Sequence, residues 1–156
     1  MRAYRDTGAE IIAHGRTNSE RQGDFGEKEE SMMIAETTER FLKEEGFSPK
    51  GWLGPWISQS HNTPEILKAH GYKYHLDWCH DDQPTWMHTE NGNLLSVPYP
   101  QELNDIPAIL IRKVSAEHFS DMIIDNFDEM LEQSKLQPLV MGIALHAYII
   151  GQPFRI

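Results

Sequence analysis

At 156 residues the chain has the length of one domain of common size, enough to bury a substantial core. Fourteen lysines and arginines stand against 24 aspartates and glutamates, and the resulting charge of −10 repels phosphate backbones and anionic lipid, which argues against nucleic acid or membrane as partner. The single cysteine, Cys79, excludes an intramolecular disulfide and a thiolate-rich zinc site, so any metal here must be held by histidine and carboxylate.

No apolar run approaches the roughly 20 residues of a membrane helix, and "MRAYRDTGAE" lacks the apolar centre of a signal peptide, so a soluble, cytoplasmic protein is expected. In chain order, "GAEIIAH" (Gly8 to His14) reads as a short buried strand ending at a glycine turn, followed by a polar loop. From Glu27 to Glu45, Met32, Met33, Ile34, Thr37, Phe41 and Leu42 recur at helical spacing, and Gly46 stops the helix. "KGWLGP" reads as a strand and turn. "NTPEILKAHG" predicts a helix with Thr63 as N-cap, Pro64 at the first helical position and Gly71 past the end. The aromatic alternation of "YKYHLDW" predicts a strand, and "NLLSVPYP" and "IPAILIRK" read as extended pieces made irregular by Pro98, Pro100 and Pro107. Ser115 to Ser134 is a helix with Phe119, Met122, Ile123, Phe127, Met130 and Leu131 on one face, and "PLVMGIALH" reads as a central strand buried on both faces. Strands alternating with helices predict an α/β layered or barrel fold with parallel strands.

His14 and His146 each close a predicted strand, where parallel α/β folds gather reactive groups. Each either joins such a cluster or bonds its own loop backbone. "DWCHDDQP" follows another predicted strand, so Asp77, Asp81 and Asp82 either project to the same rim or accept hydrogen bonds from loop amides. Cys79 and His80 read as bystanders; His61, His70, His75, His88 and His118 read as surface or structural residues. Met32, Met33, Met122 and Met130 read as core filler. No Gly-x-Gly-x-x-Gly, Walker loop or Gly-x-Ser-x-Gly is present.

The pieces "EIIAHGRTNSE", "GWLGPWISQSHNTPEILKAHGYKYHLDWCHDDQP", "LLSVPYPQELNDIPA" and "IALHAYIIGQPFR" together, in this order, resemble the polysaccharide deacetylase (NodB-homology) superfamily. The branch they resemble contains PuuE-type allantoinases and peptidoglycan-deacetylase-like proteins. The resemblance runs from Tyr4 to Ile156 and implies a single catalytic domain over residues 1–156, a distorted, incomplete (β/α) barrel, and hydrolysis of a carbon–nitrogen bond other than a peptide bond. The substrate would be an N-acetylated sugar or a small cyclic amide, and the acidic chain favours a small cytoplasmic one. A non-catalytic binding or assembly protein is the alternative. His146 matches the late histidine that acts as general acid, with Asp81 and Asp82 in support. His14 matches the first histidine of a His-x-x-x-His motif that holds a divalent metal such as zinc, but Asn18 stands at the second and leaves the triad incomplete. His14 is then a metal ligand or a substrate-orienting group. Trp52, Trp78 and Asn18 are candidate substrate contacts, with core packing the equal alternative for Trp52. The family's early strand, with its catalytic aspartate, has no counterpart in this sequence. The chain therefore reads as a C-terminal portion with an open sheet edge, for which impaired stability, homo-oligomerisation and little activity alone are expected.

Overall fold

The structure, a computed structural model, describes residues 2–156. These residues form two compact units: one runs to Trp78 and resumes over Thr85–Val97, and the other comprises Cys79–Pro84 and Pro98–Ile156.

In the first unit, helices α1 (Arg2–Arg5), α2 (Glu27–Glu45) and α3 (Thr63–Ala69) accompany a four-stranded sheet of β1 (Gly51–Trp52), β2 (Tyr74–His75), β3 (Thr85–Thr89) and β4 (Gly92–Ser96). The strand order is β1-β2-β4-β3, with the first three parallel and β3 antiparallel to β4. The sheet is thus mixed rather than all parallel. The segment expected as a strand over Gly8 to His14 makes one bridge only, Ala13 beside Trp52. Ala13 N donates to Gly51 O (3.0 Å) and Leu53 N donates to Ala13 O (2.9 Å). Extended backbone becomes a strand only where a neighbour continues the ladder, and β1 is two residues long.

Helix α2 has the predicted bounds. Its buried stripe is Glu30, Met33, Ile34 and Thr37, and Gly46 caps it in the left-handed conformation (φ 79°), its N–H donating to Leu42 O. Met32 lies off that stripe and is exposed, contrary to its expected place in the core. Helix α3 is capped by Asn62 rather than Thr63, because the Thr63 hydroxyl is taken up elsewhere: it accepts from Ser60 N (2.9 Å) and donates to Glu30. Met33, Ile34, Ile66 and Leu67 meet Ala13, Trp52, Tyr72 and Leu94 in one core, where the rings of Trp52 and Tyr72 lie edge to face at 5.4 Å.

A carboxylate sits inside this core region. Glu30 is fully buried and accepts from Gln22 Nε2 (2.7 Å), Ser60 Oγ (2.5 Å) and the Thr63 hydroxyl, while Gln22 Oε1 accepts from Trp52 Nε1 (2.9 Å). Donors from the turn at Gln22 and from the segment that leads into α3 replace water around the charge.

In the second unit a π-helical turn (Ile106–Ile111) replaces the extended piece expected for "IPAILIRK". Pro107 lacks an N–H and fits a helix start, and Arg112 N donates five residues back to Pro107 O (3.0 Å). Helix α4 (Ala116–Gln133) begins as predicted, Ser115 Oγ accepting from His118 N (3.1 Å). Ala108, Ile109, Phe119 and Ile149 form the core with Met122 and Ile123 packed against it, and α5 (Ala147–Ile150) follows. "PLVMGIALH" is no central strand: it makes one bridge, Ala144 beside Asn104, and leaves Ile143 and Leu145 exposed. Its apolar composition announced burial, but only residues 103–105 offer it a ladder.

Two outcomes follow for the first unit. Glu30→Ala strands three donors, two of them fully buried, and lowers stability by about 3 kcal/mol in urea unfolding; an unchanged midpoint would show that water replaces the carboxylate. Burial pushes the Tyr72 phenol from 10.0 up to about 12, with the hydrogen bond to Thr38 (2.9 Å) opposing part of the rise. The folded state keeps this proton where the unfolded chain releases it, so the stabilisation is intact below pH 10.0 and lost as pH rises towards about 12. Stability of Tyr72→Phe, measured from neutral pH to pH 12, therefore falls less steeply than that of the parent; parallel curves would contradict the assignment.

Candidate active site

In the first unit the segments 13–18 and 52–56 run side by side. After the Ala13–Trp52 bridge, His14 Nδ1–H donates to Leu53 O (2.6 Å), which leaves Nε2 as the lone-pair nitrogen of this exposed ring. Next, Trp56 Nε1 donates to Asn18 O (2.8 Å). Trp52, by contrast, is fully buried and bonded to Gln22, so of its two expected roles core packing is the one observed. The side chain that reaches solvent from this motif is Trp56, which is 66% exposed. Trp56 and Ile57 both have positive φ (65° and 50°), a conformation that costs non-glycine residues on the order of 1–3 kcal/mol each.

Asp77 holds this turn from inside. Its buried Oδ1 accepts from Gly54 N (2.5 Å), and a Cβ at Gly54 would lie 2.6 Å from Ser58 O and 3.0 Å from the Asp77 carboxylate. With the Gln59 amide oriented to suit its neighbours, its nitrogen donates to Asp77 Oδ2 (3.1 Å) and His75 Nδ1 (3.3 Å), and its oxygen accepts from Trp78 Nε1 (2.8 Å). His75, fully buried, then carries its proton on Nε2, 3.0 Å from Met87 Sδ. This histidine faces Asp77 at 3.5 Å and is wholly enclosed. Trp78, 46% exposed, presents an indole whose N–H is already held.

In the second unit Asp81 and Asp82 lie on the exposed loop 79–84, in which His80 and Asp82 have positive φ. Asp82 contributes its carbonyl, which accepts from Val140 N (2.9 Å). The chemically organised pair is elsewhere. Asp105 is fully buried and grips His146 twice: Oδ2 accepts from the His146 backbone N–H (2.6 Å) and Oδ1 from the Nδ1–H of its ring (2.6 Å). Both bonds are short, as expected for an ionised acceptor. The ring is held in one orientation with its proton on Nδ1, and Nε2 is left for chemistry, the side chain being 31% exposed. Tyr148 packs edge-on against the imidazole at 5.6 Å. Tyr99 is kept protonated by burial and by the charge of Asp105, which both push its phenol up.

Of the predicted residues, His14, Asn18, Trp52 and Trp78 belong to the first unit, and Asp81, Asp82 and His146 to the second. His14 and Asn18 share a loop, and His146 is organised by Asp105, a residue that sequence reasoning passed over. Its signal was Asp105 between Asn104 and Ile106-Pro107, a carboxylate at a helix start, but nothing in the 41-residue separation points to His146. Among the described residues no group of three or more histidine, cysteine, aspartate or glutamate side chains is placed to hold a metal. His14 Nε2 is one zinc-type donor, so these residues do not make up the expected zinc set.

No protein-family model matches the chain. The peptidoglycan deacetylase of Helicobacter pylori (strain ATCC 700392 / 26695) is 27% identical over 117 residues, 75% of this chain and 40% of that protein. The crystal structure of a "probable polysaccharide deacetylase" from Pseudomonas aeruginosa PAO1 superposes over 99% of this chain and 52% of its own, with a TM-score of 0.86 and 28% identity. That of a PuuE allantoinase gives 0.85 and 26%, over 99% and 51%. The chain thus spans about half the length of these relatives. The chain is therefore similar to a peptidoglycan deacetylase over 75% of its length in sequence, and to a probable polysaccharide deacetylase and a PuuE allantoinase over 99% of it in fold.

Proposed function

We propose that the chain carries the proton-transfer half of a hydrolase acting on carbon–nitrogen bonds other than peptide bonds, with an N-acetylated sugar or a small cyclic amide as substrate. The observation that carries this reading is the Asp105–His146 pair. A buried carboxylate that accepts the Nδ1–H fixes the imidazole in one orientation, and the Nε2–H of the ring in its protonated form is then placed to protonate a departing amine. Asp105 acts through His146 and is a positioning residue. Relatives described as deacetylase and allantoinase support the reaction class. His14 is proposed to orient the substrate through Nε2. Should a divalent metal take part, His14 Nε2 would be one of its donors. Asp81 and Asp82 are proposed to shape the approach to the site from their exposed loop, and the setting is proposed to be cytoplasmic.

Turnover of N-acetylglucosamine oligomers, allantoin and hydantoin is the test. His146→Ala lowers turnover about 10²–10⁴-fold and, by stripping the buried Asp105 of its ring donor, also lowers the unfolding midpoint while the variant stays folded at assay temperature; retained turnover would remove the general-acid role. Asp105→Asn offers one acceptor and one donor to two N–H groups, so the ring loses its fixed tautomer. A loss on the order of 10²-fold with a displaced pH profile is expected, and an unshifted profile would make Asp105 merely structural.

A further inference from the structure

The sheet of the first unit has an edge that its own sequence does not protect. Strand β3 stands last in the order β1-β2-β4-β3 and pairs with β4 alone, in an unbroken antiparallel register from Thr85 beside Ser96 to Thr89 beside Gly92. An edge strand displays a row of backbone N–H and C=O groups on which another chain can pair, and proteins blunt such edges with charged side chains, proline, bulges or a covering element. None of the first three lies within β3. Its five residues, "TWMHT", include no lysine, arginine, aspartate, glutamate or proline, although 24% of the chain is charged; the nearest proline, Pro84, lies just outside. No residue of the strand has positive φ and none is extra in the register, so there is no bulge. Nor is it covered: Thr85, Trp86 and His88 are exposed, Trp86 by 59%. The hairpin is also held firm. The Glu65 carboxylate of α3 accepts from Glu90 N (2.8 Å) and Asn91 Nδ2 (2.7 Å) at the turn, Thr89 Oγ1 donates to Gly92 O (2.6 Å), and His88 Nδ1–H donates to Asn93 Oδ1 (2.9 Å). A strand fixed in this way loses little conformational entropy when another joins it.

We propose that β3 is a homodimer interface, at which β3 of a second copy adds in antiparallel register and joins the two four-stranded sheets into one. A two-fold axis at Met87 sets Thr85 against Thr89, Trp86 against His88, and Met87 against its own copy. Threonine pairs and aromatic pairs across strands are favourable, so the same five residues supply both halves of every pair, as a two-fold interface requires. That self-complementarity is what makes the occupant a second copy rather than a foreign peptide. Electrostatics agree. Two chains that each carry −10 repel each other, and a strand without charge lets them meet with no carboxylate facing a carboxylate in the ladder. Tryptophan is enriched at the centre of such interfaces, and Trp86 gains there the burial that it lacks in one copy. The homo-oligomer expected from the sequence thereby acquires a place, the β3 edge. This inference goes beyond the proposed hydrolysis and does not depend on it.

Sedimentation velocity of the full chain from micromolar to millimolar concentration, with backbone hydrogen exchange at both ends of that range, is the experiment. The parent is expected to pass from monomer to dimer, the amides of β3 exchanging more slowly in the dimer and those of α2 at an unchanged rate. Trp86→Lys brings a charge to the edge at an exposed position and raises the dimer dissociation constant at least tenfold (about 1.4 kcal/mol), with the melting temperature of the monomer unchanged; Trp86→Tyr keeps most of the association. A parent that stays monomeric throughout, an assembly larger than a dimer, a dimer that Trp86→Lys leaves intact, or slowed exchange that spares β3 would each overturn the proposal. The exchange pattern of the parent decides the matter even where a variant is destabilised.

Discussion

Buried carboxylates that have taken hydrogen bonds in place of a lysine or arginine set the geometry of this molecule. Glu30, Asp77 and Asp105 are buried, and among the described ion pairs none of them has a lysine or arginine partner. Removing such a charge from water is tolerable only if several donors are aimed at it, and each donor brings its chain segment along. Glu30 gathers Gln22, Ser60 and Thr63; Asp77 gathers Gly54 and Gln59; Asp105 gathers both N–H groups of His146. The cost of burial is converted into fixed positions for loops that carry little regular structure.

Comparing the two histidine–aspartate pairs shows what the arrangement at Asp105 achieves. His75 and Asp77 stand 3.5 Å apart with Gln59 bridging them, and the ring is completely enclosed. Nothing can reach its nitrogens. His146 is bonded directly at 2.6 Å, and its side chain is partly exposed. Burial of the carboxylate with exposure of the imidazole is the combination that proton transfer requires. A resemblance in motif identifies His146, but only the geometry shows how its tautomer is fixed.

The long helices α2 and α4 were legible because their signals are local: Met33, Ile34 and Thr37 on one face, the stop at Gly46 and the Ser115 cap can each be read within a few residues. The strands were less so. "GAEIIAH" and "PLVMGIALH" are extended and apolar, yet strand formation depends on a partner ladder that composition does not encode. The hairpin of β3 and β4 went unread although Asn91-Gly92 is a turn signal between two runs rich in strand formers. At the candidate site, His14 and His146 were singled out by motif order. Asp105 was not, since its partner lies 41 residues on; Trp52 took the core role, one of the two expected for it, and Trp56, for which the sequence suggested no role, is the indole that faces solvent.

The central claim is that Asp105 holds the His146 imidazole with its proton on Nδ1 and leaves Nε2 for the reaction. Nitrogen-15 NMR of the imidazole side chains, with His146 assigned by comparison with His146→Ala, reads this directly. At a pH where the ring is neutral, the account predicts a protonated Nδ1 and a lone-pair Nε2 for His146. A predominantly Nε2-protonated ring, or rapid exchange between the two tautomers, would contradict it.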